Sequence, residues 1–183
     1  MPLIKAIQRA MNKIAPTSLA ESWDNVGLLL EAPKSWHEPT QILLTIDLTP
    51  SVLHEALSSP LPTSCIISYH PPIFKPISSF TLSNPLQSSL LQCAAAGISV
   101  YSPHTALDSV HGGIHDWLAS GVLNSDEGVV KILGKKTEGP VADTANPLDG
   151  LGRVVEFTKP ANGITIESLV NRIKQCLKLK QGL

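Results

Sequence analysis

Cys65-Ile66-Ile67-Ser68-Tyr69-His70-Pro71-Pro72 is a short apolar run that ends in a tyrosine, a histidine and two prolines. Four apolar or small residues bounded by a turn signal suit a strand covered on both faces. The same pattern occurs on either side. Upstream, Gln41-Ile42-Leu43-Leu44-Thr45-Ile46 stops at Asp47, and Thr49-Pro50 opens a helix through Leu57, with proline at an early helical position. Downstream, a helix over 86–96 closes at Gly97, and Ile98 to Tyr101 reads as a third buried strand followed by Ser102, Pro103 and His104. A further helix over 113–120 is expected to close at Gly121. Strand, loop and helix in three rounds predict an α/β fold: a mostly parallel sheet flanked by helices, incomplete at the C-terminus.

The flanks add elements of other kinds. Residues 3–14 place Leu3, Ile4, Ile7, Met11 and Ile14 on one helical face ahead of Pro16. Ser18 to Glu21 has the form of a capping box, and Gly27 to Leu30 can start a strand. Residues 32–40, with Trp36, His37 and two prolines, read as a loop. Residues 128–134 and 151–157 are two more strand candidates, joined by a loop from Lys136 to Gly150. Thr165 to Leu179 is an amphipathic helix with Ile166, Leu169, Val170, Ile173 and Leu177 on one face. The whole of 1–183 is taken as one α/β domain, the N-terminal portion of a longer fold.

Composition narrows the class. Apolar residues make up 43% and charged residues 16%, which excludes a disordered chain, and aromatics at 4% leave the core to Leu, Ile, Val and Ala. A net charge of −1 without a basic stripe argues against direct nucleic-acid binding; Lys174, Lys178 and Lys180 read as a solvated helix face. Cys65, Cys93 and Cys176 form no CxxC pair and suit free thiols in a reducing compartment. No apolar run reaches the ~18 residues of a membrane span. The location is read as cytoplasmic. Mitochondrial import is the second reading, because Lys5, Arg9 and Lys13 with no acid imitate a transit peptide as well as a folded first helix.

Ligands of parallel sheets gather beyond the carboxyl ends of the strands. Those ends carry Asp47, then Tyr69 and His70, then His104 and Asp108. Neutral imidazole with carboxylate suits a divalent cation such as Zn, Mn, Fe, Ni or Mg. Each residue has a plainer role: His70 can bond a turn carbonyl, Asp47 and Asp108 can cap helices, and Tyr69 can pack. Joint placement is what favours a site. His111 and His115, four apart around Gly112-Gly113, are a rival metal pair, and Gly112-Gly113 could receive an anion. The chain has no Walker loop, no dinucleotide fingerprint and no nucleophile elbow.

Four blocks taken together resemble the NGG-interacting-factor (Nif-type) family, also called the GTP cyclohydrolase type 2 family, in its eukaryotic, fungal-like branch. They are Trp23-Asp24-Asn25-Val26-Gly27-Leu28; Asp47-Leu48-Thr49; Ser68 to Phe74; and His104-Thr105-Ala106-Leu107-Asp108 with Gly112-Gly113 and Asp116 to Ala119. The resemblance implies an α/β fold, ring-shaped homo-hexamers and two adjacent divalent metals per subunit. A His-His pair and an Asp come from the first half of the fold, a His and a Glu from near its C-terminus. By match, His70 is the second histidine and Asp108 the carboxylate, with Tyr69, His104 and Asp47 as neighbours of the metal site.

Two departures follow. Tyr69 stands where the family has the first histidine, and a neutral phenol with a pKa of about 10 is a poor ligand. All six histidines lie at or before residue 115, so the C-terminal ligand pair is not among these residues. The reading is therefore a truncated, metal-dependent hydrolase-like protein with half a dinuclear site. It is expected to be inactive alone and to bind metal weakly or not at all, since catalytic zinc sites use three protein ligands. The rival is a non-catalytic protein that binds a transcriptional adaptor, as the family name implies.

Overall fold

In a computed structural model, residues 3–34, 40–123, 128–134, 146–158 and 164–181 are described. Most of the loop predicted over Lys136 to Gly150, and Trp36 and His37 of the loop predicted over 32–40, lie outside them. The chain divides into two compact units, Met1–Leu107 and Asp108–Leu183.

The first unit is built on a four-stranded sheet. Helix α1 (Leu3–Ile14) and a short 3-10 turn (Thr17–Leu19) lead into β1 (Gly27–Leu30). Then come β2 (Gln41–Thr45), α2 (Pro50–Ser58), β3 (Thr63–Ser68), α3 (Pro85–Ala96) and β4 (Ser99–Ser102). The order is β1-β4-β3-β2, with β2, β3 and β4 parallel and β1 antiparallel to β4. The three strands read from the sequence as successive repeats are therefore neighbours, and their carboxyl ends share one edge of the sheet.

Alternation along the central strands makes two cores. Ile66 and Val100 face Leu48, Leu53, Leu90 and Cys93 on the side of α2 and α3. Cys65 and Tyr101 face Ile7 and Met11 of α1. The period of two in a strand dictates this split. Helix α1 is thus an integral layer of the sheet, as the folded-helix reading of its apolar face expected. Local chemistry marks the helix ends. Thr49 Oγ1 accepts from Val52 N, Asn84 Oδ1 accepts from the amides of Leu86 and Gln87, and Gly97 takes a left-handed φ of 79° after α3.

Four expectations need correction. Strand β2 was read as buried, but it is the edge of the sheet; Leu43 joins the core while Ile42 and Leu44 point outward. No helix is predicted between Ser102 and residue 113, but His104 opens α4 (His104–Ser109) at a φ of 33°. The capping box at Ser18 to Glu21 is replaced by the 3-10 turn, and the Glu21 amide donates to Thr105 Oγ1 instead. Helix α5 (Ile114–Val122) does not stop at Gly121 but runs through it.

The second unit shows why. It contains α5, an antiparallel pair β5 (Gly128–Ile132) and β6 (Arg153–Phe157), and α6 (Ile166–Cys176). A Cβ on Gly121 would overlap the Cys176 side chain, so this glycine permits close approach of α5 and α6 rather than ending a helix. Arg153, 3% exposed, clamps the unit. Its Nε and Nη2 donate to both Asp116 oxygens at 2.6 and 2.8 Å, and its remaining hydrogens reach the carbonyls of Leu148, Gly150 and Gly152. Gly121→Ala is expected to cost about 1–3 kcal/mol by overpacking. Urea melts should show that loss, and Cys176→Ala in the same chain should recover part of it.

Candidate functional site

Two histidine–aspartate pairs stand at the carboxyl edge of the first unit's sheet. Asp47 follows β2 and His70 follows β3, and their Oδ1 and Nδ1 atoms are 2.9 Å apart. His104 follows β4, and its Nδ1 lies 2.8 Å from Oδ1 of Asp24. The two imidazole centroids are 5.6 Å apart. Tyr69 lies beside both rings, at 4.9 Å from His70 and 5.5 Å from His104.

The loops that carry these rings are held by serines buried at the strand ends. Ser68 Oγ donates to the His70 carbonyl at 2.8 Å, and Ser102 Oγ donates to the Tyr69 carbonyl at 2.8 Å. The amides of Tyr69 and His70 donate to the carbonyls of Thr45 and Ile46, so the parallel ladder of β2 and β3 continues past the strands. Both serines were missed at the sequence level, where they read as ordinary polar punctuation.

Asp24 was missed as well. It was visible only as one letter of the Trp23–Leu28 block, far in sequence from any candidate. Its side chain is fully enclosed. Besides His104 it accepts from Thr105 Oγ1 at 2.5 Å, from Thr105 N at 3.2 Å and from Asn25 N at 2.8 Å. Burial works to raise its pKa, but hydrogen bonds from Thr105, His104 and Asn25 outweigh it and hold the carboxyl below its ordinary value. The backbone outlier sits at the same place. A φ of 33° is costly for a residue with a side chain and persists only where its surroundings over-determine it. Trp23 and Phe74, both exposed, stand edge-on to the His104 ring at 6.3 Å each.

The chemical consequence is a fixed tautomer. An ionised carboxylate only accepts, so each Nδ1 must carry the proton. The lone pair of each neutral ring is then on Nε2, the state in which histidine binds metal or takes up a proton. Two such rings side by side are a fitting but partial donor set. Among the described residues no group of three or more His, Cys, Asp or Glu is placed to hold a metal ion.

Asp108 is the first residue of the second unit and lies in α4. The rival histidines have other work within that unit. His111 Nδ1 lies 3.7 Å from Asp116 Oδ2, and His115 Nδ1 accepts from Gly152 N at 3.2 Å. The anion expected at Gly112-Gly113 is the protein's own Asp116, whose Oδ2 accepts from Gly112 N at 2.7 Å. Cys65 and Cys93 are buried free thiols, pushed up to about 12 and about 11 by desolvation, which makes them inert packing groups.

A sequence model of the Duf34/NIF3 (NGG1p interacting factor 3) family matches residues 2–182. The chain belongs to the DUF34/NIF3 family. It is 40% identical over 174 residues to the NIF3 homolog of Schizosaccharomyces pombe, covering 95% of this chain and 60% of that protein. It is 37% identical to NGG1-interacting factor 3 of Saccharomyces cerevisiae, covering 93% and 59%, and 34% identical to human NIF3-like protein 1, covering 92% and 45%. Among solved structures, a Staphylococcus aureus hypothetical protein matches with a TM-score of 0.74 at 26% identity, over 97% of this chain and 65% of that one. Reduced HcgD from Methanocaldococcus jannaschii matches with a TM-score of 0.72 at 25% identity, over 96% and 60%. The chain thus spans about half the length of the curated NIF3 relatives it matches. No helix among the described residues is long and apolar enough to cross a membrane.

The enclosed Asp24 yields a pH prediction. A carboxyl whose folded pKa is depressed contributes stability above its unfolded pKa, and that contribution fades as pH falls through the folded value. Asp24→Asn should destabilise the chain by about 1–3 kcal/mol at pH 7, in the range for hydrogen bonds to a charged group. The gap between wild type and variant should close as denaturant melts are moved from pH 5 to below the usual aspartate range.

Proposed function

We propose that this NIF3 chain carries part of a divalent-metal site and belongs to a metal-dependent hydrolase-like protein. The observation that supports this reading is the pair of imidazoles, each with Nδ1 on a carboxylate and Nε2 left as the basic nitrogen. That is the arrangement by which outer carboxylates fix metal-binding histidines. His70 is the proposed ligand in the first unit. Asp108 is proposed as the carboxylate ligand on the sequence match alone. Asp47 orients His70; His104 and Tyr69 border the ion.

A divalent cation there would supply Lewis acidity to the substrate and to an attacking water. The chain's own residues would do the rest. His104, oriented by Asp24 through Nδ1, can accept a proton at Nε2, and Asp24 stabilises the imidazolium that results. Trp23 and Phe74 border that ring edge-on. Ring assembly into hexamers and a physiological substrate belong to the same reading, which concerns the longer family proteins.

Calorimetric titration of the chain with Zn or Mn tests it. The expected result is weak binding that His70→Ala and Asp108→Asn each reduce further. Tight binding at two sites per chain would refute the half-site, and identical isotherms for wild type and His70→Ala would refute the ligand assignment.

A non-catalytic role is the second reading, favoured by the name of the yeast relative, NGG1-interacting factor 3. Turnover by a full-length relative that is lost in its counterpart of Asp108→Asn, with partner binding kept, would support the enzyme. Partner binding without turnover would support the adaptor-binding role.

A further inference from the structure

A cavity in the first unit, lined by other residues than the histidine cluster, has the chemistry of an anion site. It measures about 460 Å³ and lies between α1 and the β1–β4 pair. Lys5, Gln8, Arg9 and Asn12 line one wall. These residues sit at i, i+3, i+4 and i+7, so one helical stripe presents two cations and two amides to the same space. Ile4, Ile7 and Met11 pack toward the sheet, which fixes the rotation of α1 and turns that stripe to the cavity. Val26 and Leu28 supply an apolar opposite wall.

Charge at this place is one-sided. Helix α1 holds Lys5, Arg9 and Lys13 and no acid, and no acid lines the cavity. Among the described residues neither Lys5 nor Arg9 has a carboxylate partner. The sequence-level readings of this basic helix, a folded amphipathic helix or a transit peptide, account for its apolar face but not for why its cations border a cavity.

Tyr101 is the independent observation. Its residue is only 2% exposed, yet it lines the cavity, and its hydroxyl is not sealed off from solvent. Burial also pushes its pKa above the ordinary tyrosine value, so it enters the cavity as a neutral O–H donor. A guanidinium, an ammonium, two amides and a phenol with no opposing acid form a donor-rich lining for a multiply charged oxyanion. The space is an open groove rather than an enclosed cavity, with Lys5, Arg9 and Asn12 exposed along its α1 wall, and it has room for more than a bare phosphate.

We propose that this cavity binds a phosphorylated small molecule. Its phosphate sits against Lys5, Arg9 and the Tyr101 hydroxyl, and its organic body lies against Val26 and Leu28. The site is separate from the proposed metal centre and does not depend on it.

Phenyl phosphate is the probe. Titration into the ¹⁵N-labelled full chain should give saturable shifts centred on the amides of Gln8, Asn12 and Gly27. Inorganic phosphate should bind more weakly at the same residues, while phenol should not bind, which separates the phosphate from the apolar contribution. Arg9→Gln should weaken phenyl phosphate about tenfold or more, as loss of a charge-assisted hydrogen bond implies. Tyr101→Phe, which keeps the packing, should weaken it several-fold. Lys13→Gln removes a cation of the same helix that does not line the cavity and should leave binding unchanged. Equal weakening by Lys13→Gln and Arg9→Gln would overturn the proposal in favour of general charge attraction. So would shifts centred on His70 and His104, an unaltered affinity in Tyr101→Phe, or no saturable shift at all.

Discussion

A single enclosed carboxylate organises the candidate site at the carboxyl edge of the first unit's sheet. Asp24 lies in the segment leading into β1, and it takes hydrogen bonds from the imidazole of His104, from the amide and hydroxyl of Thr105, and from the amide of Asn25. In a low-dielectric setting such bonds are strong, and the same setting makes their loss expensive. The constraint reaches outward from there. It holds His104 at a positive φ, sets its tautomer, and fixes the turn from β4 into α4. Asn25, the next residue, donates from Nδ2 to the Ile73 carbonyl at 2.5 Å and so ties the same segment to the loop beyond His70.

That arrangement works because the sheet beneath it is parallel. Parallel pairing of β2, β3 and β4 delivers Asp47, Tyr69, His70 and His104 to one edge in strand order. Buried serines at the ends of β3 and β4 then hold the Tyr69–His70 carbonyls. A hydroxyl in that position satisfies a carbonyl that the ladder no longer reaches, and an unsatisfied buried carbonyl would be costly. The candidate site is thus supported by backbone hydrogen bonding as much as by its own side chains.

Two adjacent stripes of α1 illustrate how one helix serves two purposes. Its apolar stripe closes the second core over Cys65 and Tyr101. The stripe next to it borders a cavity with cations and amides. In the second unit, Arg153 plays a purely architectural part: nearly all its hydrogens are taken up by Asp116 and by carbonyls, which leaves little for a ligand. Its hydrogen bonds are also the leading reason that the Asp116 carboxyl lies below its ordinary value.

The amino-acid sequence by itself determined the class of fold, the positions of most elements, and the candidates Asp47, Tyr69, His70 and His104, because apolar period, proline and glycine are local signals. Family membership was equally legible, since its motifs are contiguous blocks. Tertiary structure alone decided which strands became neighbours and that β2 lies at the edge with Ile42 and Leu44 exposed. It also decided that Gly121 serves a helix contact rather than a helix end, and that Asp24, eighty residues away, anchors His104. These are long-range pairings. They depend on which surfaces meet once the chain has collapsed, and no local pattern of residues encodes the identity of a distant hydrogen-bond partner.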